Sequence, residues 1–351
     1  MLLMISNVWE KAWPILIAVL MFLFMIAIHE FGHFLAARIV GIKVNEFSIG
    51  FGPAIFKKQG KKTKYSVRIF PIGGFCALEG EDSDSKDPSA YCNQSAFKRF
   101  IVIIAGALFN ILLGFIIVMI ILSSQNVYAG TEISAFGEGA VSSEHGLRVG
   151  DRIIGVDGRR IYTTYDLSYA FSGIESDGEV DLLVKRNGKK VLLKNVGFDV
   201  ATENDINYVK VDFFVNPIEK TPLSFISQSF KTTVSYGRIV WFSLVDLVTG
   251  KYGISAVSGP VGVTAAIGEV AKTGINNLLQ MFALITVNLG LFNLLPIPAL
   301  DGSRAMFLLV ELIFRRPVPQ KYEAAVHAAG MLVLIGFMIL ITVKDVYYLF
   351  V

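Results

Sequence analysis

The sequence has 351 residues, of which 53% are hydrophobic and 17% charged, with a net charge of +3 and a mean hydropathy of +0.57. That balance excludes an ordinary soluble domain, and the small, dispersed charge leaves no footprint for nucleic acid. The two cysteines, Cys76 and Cys92, have no metal-like spacing and are expected to stay as thiols.

Four apolar stretches without Asp, Glu, Lys or Arg, at 12–28, 101–122, 278–300 and 324–343, predict a polytopic α-helical membrane protein with four transmembrane helices. A spanning helix needs about 20 such residues, so the first stretch must run on through residues 29–40. The N-terminus has one basic residue, Lys11, and no small-residue cleavage site after its apolar run, so it is expected to be retained. Basic residues crowd the loop 41–100 and recur at Arg304, Arg315, Arg316 and Lys321. Short loops rich in Lys and Arg stay cytoplasmic, which places the termini and the long middle region outside.

Inside the first span lies HEFGH, residues 29–33. On a helix His29 and His33 stand one above the other, so both imidazoles can reach one ion, with Glu30 beside them as general base. Ionisable groups at membrane depth are costly, and something must offset them. Residues 44–78 read as two or three strands on the cytoplasmic side, with Gly50, Gly52, Gly73 and Gly74 at turns or close approaches. Two readings stay open: a small surface sheet, or a ribbon dipping beside the site, where Gly73 and Gly74 would offer a strand edge to an unwound peptide. An acidic, polar linker follows at 79–95. The first region, with spans one and two, is 1–126.

Residues 127–215 predict an extracytoplasmic domain. Its core, 130–200, has a strand with an Asp157-Gly158 turn, a short helix at 166–171 and a hairpin closed by Asn187-Gly188. GLRVGDRIIGVDG (146–158) resembles the bacterial form of a PDZ domain. Such folds bind peptides by adding a strand to a sheet edge, and steric filtering is the alternative role. In the connector 216–276, apolar or small residues recur every three or four positions from Leu223 to Val248. With Lys231, Arg238 and Asp246 interrupting them, they suit an interfacial amphipathic helix better than a fifth span. SGPVG (258–262) reads as a break before the last region, 277–351.

A catalytic zinc takes three protein ligands and keeps one position open, so a third ligand is needed. The candidate is Asp301 in NLLPIPALDG (293–302), where Pro296 and Pro298 break the third span. Broken backbone at membrane depth requires protein or a wet cavity around it. The bland alternative is a span that ends there, with Asp301 capping a helix from about Gly302. Asn293 and Asn110 are buried amides that could hold substrate backbone or bond a neighbouring helix; substrate contact suits Asn293, and packing suits Asn110, four residues after Gly106. His327 is expected to be an interfacial histidine bonded to a neighbour.

With HEFGH in span one, NLLPIPALDG in span three and a PDZ-like insert between spans two and three, the chain resembles the site-2 protease family of intramembrane zinc metalloproteases over nearly its full length. It is most similar to the bacterial branch that carries PDZ domains, regulates sigma factors and occupies the cell membrane. The resemblance implies zinc held by His29, His33 and Asp301, Glu30 as catalytic acid and base, and Asn293 positioning substrate. It also implies substrates that are transmembrane proteins, such as anti-sigma factors or signal-peptide remnants, cut first outside the membrane by a site-1 protease. Two other classes compete with it. A membrane adaptor with a structural metal would need a fourth ligand, and a zinc transporter would need ionisable residues through spans two and four, which offer only His327.

Overall fold

The computed structural model describes residues 2–81, 83–203, 206–253 and 257–350. The chain forms two compact units, Met1–Gly114 with Val257–Val351, and Phe115–Ala256. In chain order the elements begin with α1 (Leu2–Val40), β1 (Val44–Gln59), β2 (Lys64–Leu78) and α2 (Ala96–Ser123). The second unit adds β3 (Val127–Phe136), α3 (Val141–Glu144), β4 (Arg152–Val156), β5 (Arg159–Arg160), α4 (Thr164–Ala170), β6 (Glu179–Arg186), β7 (Lys189–Gly197), β8 (Val200–Glu203), β9 (Ile206–Val209), β10 (Phe213–Glu219) and α5 (Pro222–Val248). The chain closes with α6 (Pro260–Lys272), α7 (Ile275–Leu294), α8 (Asp301–Phe314) and α9 (Gln320–Phe350).

Four helical stretches are long and apolar enough to cross a membrane: Ala12–Val40, Ala96–Ser123, Ile275–Leu294 and Lys321–Tyr347. The protein is therefore a membrane protein with an added sheet region. The third span stops earlier than its apolar run suggests. Leu295, which precedes Pro296, is extended at φ −69° and ψ 144°, as the ring of a following proline demands. Residues 295–300 are the broken segment, and α8 starts directly after it. SGPVG opens a helix instead of only breaking one, because Pro260 at the first helical position needs no backbone partner and an apolar run follows it. That helix, α6, packs Gly268 against Pro14 of α1, and Gly259 and Gly262 at its start donate N–H bonds to Asp345 of α9, each at 2.8 Å. On the other side α7 meets α2 through Gly290, where an added Cβ would lie 2.8 Å from the Ala107 carbonyl. These contacts set the broken segment close to HEFGH.

The ribbon 44–78 contains two long strands, each bent in the middle. Phe47 pairs with both Tyr65 and Cys76, and Ser48 with both Ser66 and Phe75, so the first half of β1 is flanked on both sides by β2. The second half of β1 folds back onto 64–68, with Ala54 opposite Arg68 and Lys58 opposite Tyr65. Gly73, at φ 89°, takes a bend that a β-branched residue could not. The ribbon lies along α1: the Phe34 ring meets Phe47 at a tilt and Tyr65 edge-on, at 5.3 and 6.1 Å between ring centres, and Gly74 reaches Glu30 and Ile26.

In the second unit the main sheet runs β10-β3-β4-β6-β7, with β5 paired to β4. Asp157 and Gly158 (φ 46° and 75°), then Asn187 and Gly188 (φ 49° and 79°), take the two positive φ values of type I′ turns, as their sequences predict. Ile133, Ile153, Leu182, Val184 and Val196 form the solvent-free centre of its core. Two of the three charges that interrupt the apolar pattern of α5, Arg238 and Asp246, turn out to be its anchors, while Lys231 is exposed. Asp246 is bonded by Arg159 and by the Tyr169 hydroxyl at 2.8 Å, and Arg238 reaches Asp166 at 3.2 Å. The opposite stripe of α5 stays exposed, with Leu223, Ile226, Phe230 and Trp241 on it.

Candidate metal centre

The α-helical period does what the H-E-x-x-H spacing predicts. His29 and His33 sit one turn apart on α1, with Nε2 atoms 3.2 Å from each other. Asp301, first residue of α8, turns Oδ2 to within 3.1 Å of both. Among the described residues these three are the one cluster of potential metal ligands. Asp301 does open a helix, but the residue before it is the cap and no side chain caps there; its carboxylate faces the imidazoles. The position also suits a carboxylate, since an anion is favoured at a helix N-terminus.

Hydrogen bonding behind the histidines fixes which atoms point inward. His33 Nδ1–H donates to the Val102 carbonyl at 2.8 Å, which leaves a lone pair on Nε2. His29 Nδ1 lies 3.3 Å from the Asn110 amide nitrogen, while Asn110 Oδ1 is buried with no partner. Amide O and N are assigned from the bonding network, and rotating this amide satisfies both groups: Oδ1 then accepts from His29 Nδ1–H. Both Nε2 atoms thus present lone pairs to Asp301 Oδ2, itself buried without a hydrogen-bond partner. Three lone-pair donors facing one another with no proton between them call for a cation. A tetrahedral zinc with bonds of about 2.0–2.1 Å separates its ligand atoms by about 3.3 Å, close to the 3.1 and 3.2 Å found here. The residues fit zinc.

Room for the imidazoles comes from Gly106 on α2. A Cβ there would lie 2.7 Å from His33 Cε1 and 2.8 Å from His29 Cε1, and nearer still to His33 Nε2. Gly32 meets the Ala105 carbonyl in the same crossing, at 2.6 Å from its own added Cβ. Glu30 follows His29 by about 100° around the helix. Its Cγ would be 3.3 Å from a Cβ on Gly74, so the backbone of β2 passes directly beside it.

The broken segment folds tightly on itself. Ala299 takes a left-handed φ of 75°, and Gly302 packs against Leu295 so closely that any side chain would collide with its carbonyl. His327 of α9 binds this segment: the Ala299 N–H donates to Nδ1 at 3.3 Å, and Nε2–H points to Ser303 Oγ at 3.3 Å, Ser303 donating its own proton to the Leu300 carbonyl. The expected partner of His327 is thus the turn that leads into Asp301. Asn293 donates to the Leu289 carbonyl one turn back at 2.9 Å. Asn110, expected to pack helices or hold substrate, is fully buried against His29. Gly73 lies at the ribbon bend and Gly74 at Glu30. Cys76 and Cys92 are free thiols.

The family model for peptidase family M50 matches residues 17–337 of this sequence, nearly the whole chain and every residue of the cluster. The chain belongs to peptidase family M50, the site-2 proteases. Relatives agree in kind. A provisionally named zinc metalloprotease of Clostridium perfringens is 35% identical, the match covering 95% of this chain and 98% of that protein. Another of Fusobacterium nucleatum is also 35% identical, covering 95% and 99%. The regulator of sigma-W protease RasP of Bacillus subtilis is 28% identical, covering 93% and 96%. This M50 protein is a zinc metalloprotease of the membrane.

Proposed function

We propose that this chain cuts peptide bonds inside the transmembrane segments of single-span proteins that a site-1 protease has already trimmed outside the membrane. Anti-sigma factors and signal-peptide remnants are the substrate classes. The observation that carries this reading is the buried triangle of His29 Nε2, His33 Nε2 and Asp301 Oδ2, beside Glu30, inside helices apolar enough to span a bilayer. The membrane is the bacterial cell membrane, with the metal centre toward the cytoplasm and the PDZ-like domain outside, as the basic loops at 57–64 and 315–321 argue.

A zinc ion held by His29, His33 and Asp301 supplies Lewis acidity, making water acidic near neutral pH and polarising a carbonyl. Val102 and Asn110 orient the two imidazoles from behind, so the lone pairs stay aimed at one point. Glu30 takes the proton from the attacking water and then delivers it to the departing amide nitrogen. A helical substrate hides its carbonyls in i to i−4 bonds and must unwind to be cut. The edge of β2 at Gly73 and Gly74, running past Glu30, can pair with the unwound stretch, and Asn293 at the end of α7 can hold substrate backbone.

The test is cleavage of a pre-trimmed single-span reporter by wild type and by Glu30→Gln, with zinc content measured on the same preparations. Loss of cleavage with zinc retained supports the mechanism and excludes an adaptor whose metal is only structural. Equal cleavage by the variant overturns it.

A further inference from the structure

A second site lies at the far end of the ribbon, where α1 leaves the apolar stretch. A cavity of about 480 Å³ opens there between the end of α1 and the hairpin turn of the ribbon. Arg38, Lys43, Lys61 and Lys62 line it, against a single acidic residue, Asp87. Lys43 is already committed to Asp87 at 2.9 Å and lies 3.9 Å from Glu79. Among the described residues the other three cations have no carboxylate. Arg38 donates only to neutral oxygens, Tyr65 at 3.3 Å and Thr63 at 3.5 Å, and among the described residues Lys61 and Lys62 have no partner.

Unpaired cations around a concave space favour an anion, and the position says which kind. Arg38 stands eight residues beyond Glu30 on α1, about 12 Å further along the helix axis. The cavity is therefore level with the end of a span. Its surroundings are apolar where acyl chains would run: Ile39, Ile55 and Phe56 are 76%, 70% and 59% exposed. The ribbon thus carries apolar residues at 51–56 and basic ones at 57–62, the order in which a lipid presents tail and headgroup. Gly41, at the end of α1, leaves open space in the wall, with nothing within 4 Å of an added Cβ.

We infer that this cavity is a phosphate-binding site, occupied by the phosphodiester headgroup of an anionic phospholipid, with Arg38, Lys61 and Lys62 as its cations. Juxtamembrane bases attract anionic lipid by about 1 kcal/mol each, so removing two of them should weaken binding about 30-fold. The site would fix the basic end of the ribbon at the membrane surface while the other end runs past Glu30. This inference requires that the chain spans a membrane, but not that any residue here is catalytic.

The experiment uses the full chain in neutral detergent, titrated with short-chain phosphatidylglycerol, phosphatidylcholine or inorganic phosphate, and reads thermal unfolding. Phosphatidylglycerol should raise the melting temperature of the wild type, and phosphatidylcholine should not. The Lys61→Gln/Lys62→Gln double variant, which changes two exposed side chains, should need about 30-fold more phosphatidylglycerol for the same shift. The Lys57→Gln/Lys58→Gln control, equal in charge but outside the cavity, should respond as the wild type does. Equal loss in the control would reduce the effect to diffuse charge and overturn the site. A response to phosphatidylcholine would overturn the charge recognition, and an equal response to inorganic phosphate would overturn the lipid as its source.

Discussion

Replacing Gly106 with alanine probes the metal centre without changing a ligand residue. The new Cβ would stand 2.7 and 2.8 Å from the His33 and His29 Cε1 atoms, where ordinary contact begins at 3.4 Å. The His29 ring must therefore retreat by about 0.6 Å and the His33 ring, whose Nε2 lies nearer still to the new Cβ, by about 1.0 Å. Neither can do so freely. His33 is tied to Val102 at 2.8 Å and His29 rests on Asn110, while α1 cannot back away as a unit without opening the Gly32 crossing. Overpacking of this kind costs about 1–3 kcal/mol of stability, which a spanning bundle can absorb. A misplacement near 1 Å at a catalytic centre costs on the order of 100-fold in rate. Gly106→Ala should therefore remain folded by circular dichroism, bind zinc more weakly in a chelator competition, and cleave a single-span reporter about 100-fold more slowly. A Gly106→Ala protein with wild-type zinc affinity and at least half the wild-type rate would refute the reasoning.

Asn110→Ala removes the group behind His29 and should weaken zinc binding by about 10–100-fold, with activity partly recovered in excess zinc; a chelator titration measures it. Gly302→Ala forces a side chain into the Leu295 carbonyl and should abolish zinc retention even though every ligand is present. In the sheet unit, Arg159→Ala leaves the buried Asp246 without its cation and should cost about 3–5 kcal/mol, visible as early proteolysis around α5. Burial works to raise the Asp246 carboxyl, but bonds from Arg159 and Tyr169 outweigh it and hold it below its ordinary value of 3.8. A depressed carboxylate stabilises the fold above its unfolded pKa and loses that contribution as pH falls below it. Hydrogen exchange in α5 should therefore be slow at neutral pH and accelerate below about pH 4 in the wild type, and much less in Arg159→Ala.

The parts of the fold visible in the sequence are those with a local physical cause. HEFGH carries its geometry in the helical period, and Asp157-Gly158 and Asn187-Gly188 carry theirs in left-handed backbone preferences. The prolines at 296 and 298 announce a broken span whatever surrounds it. What the sequence hides depends on contacts between distant segments. Gly106 reads as a packing glycine, yet what it makes room for, the two imidazoles, lies on another helix. Asn110 reads as an amide in need of any partner, and only the α1–α2 crossing makes that partner His29. Arg238 and Asp246 in α5 read as interruptions because the residues that neutralise them, Asp166 and Arg159, belong to a separate part of the chain. The double flanking of β1 by β2 escapes strand patterning, since both halves of β2 alternate in the same way.

The proposed chemistry depends most on Asp301 completing the metal centre begun at HEFGH. The direct measurement is zinc content and affinity of purified Asp301→Asn against wild type, by mass spectrometry after dialysis in a chelator-buffered zinc series. The amide, which carries no charge to match the dication, should lose zinc at concentrations where the wild type is saturated, while the helices stay folded. Zinc bound by Asp301→Asn as tightly as by the wild type would contradict it.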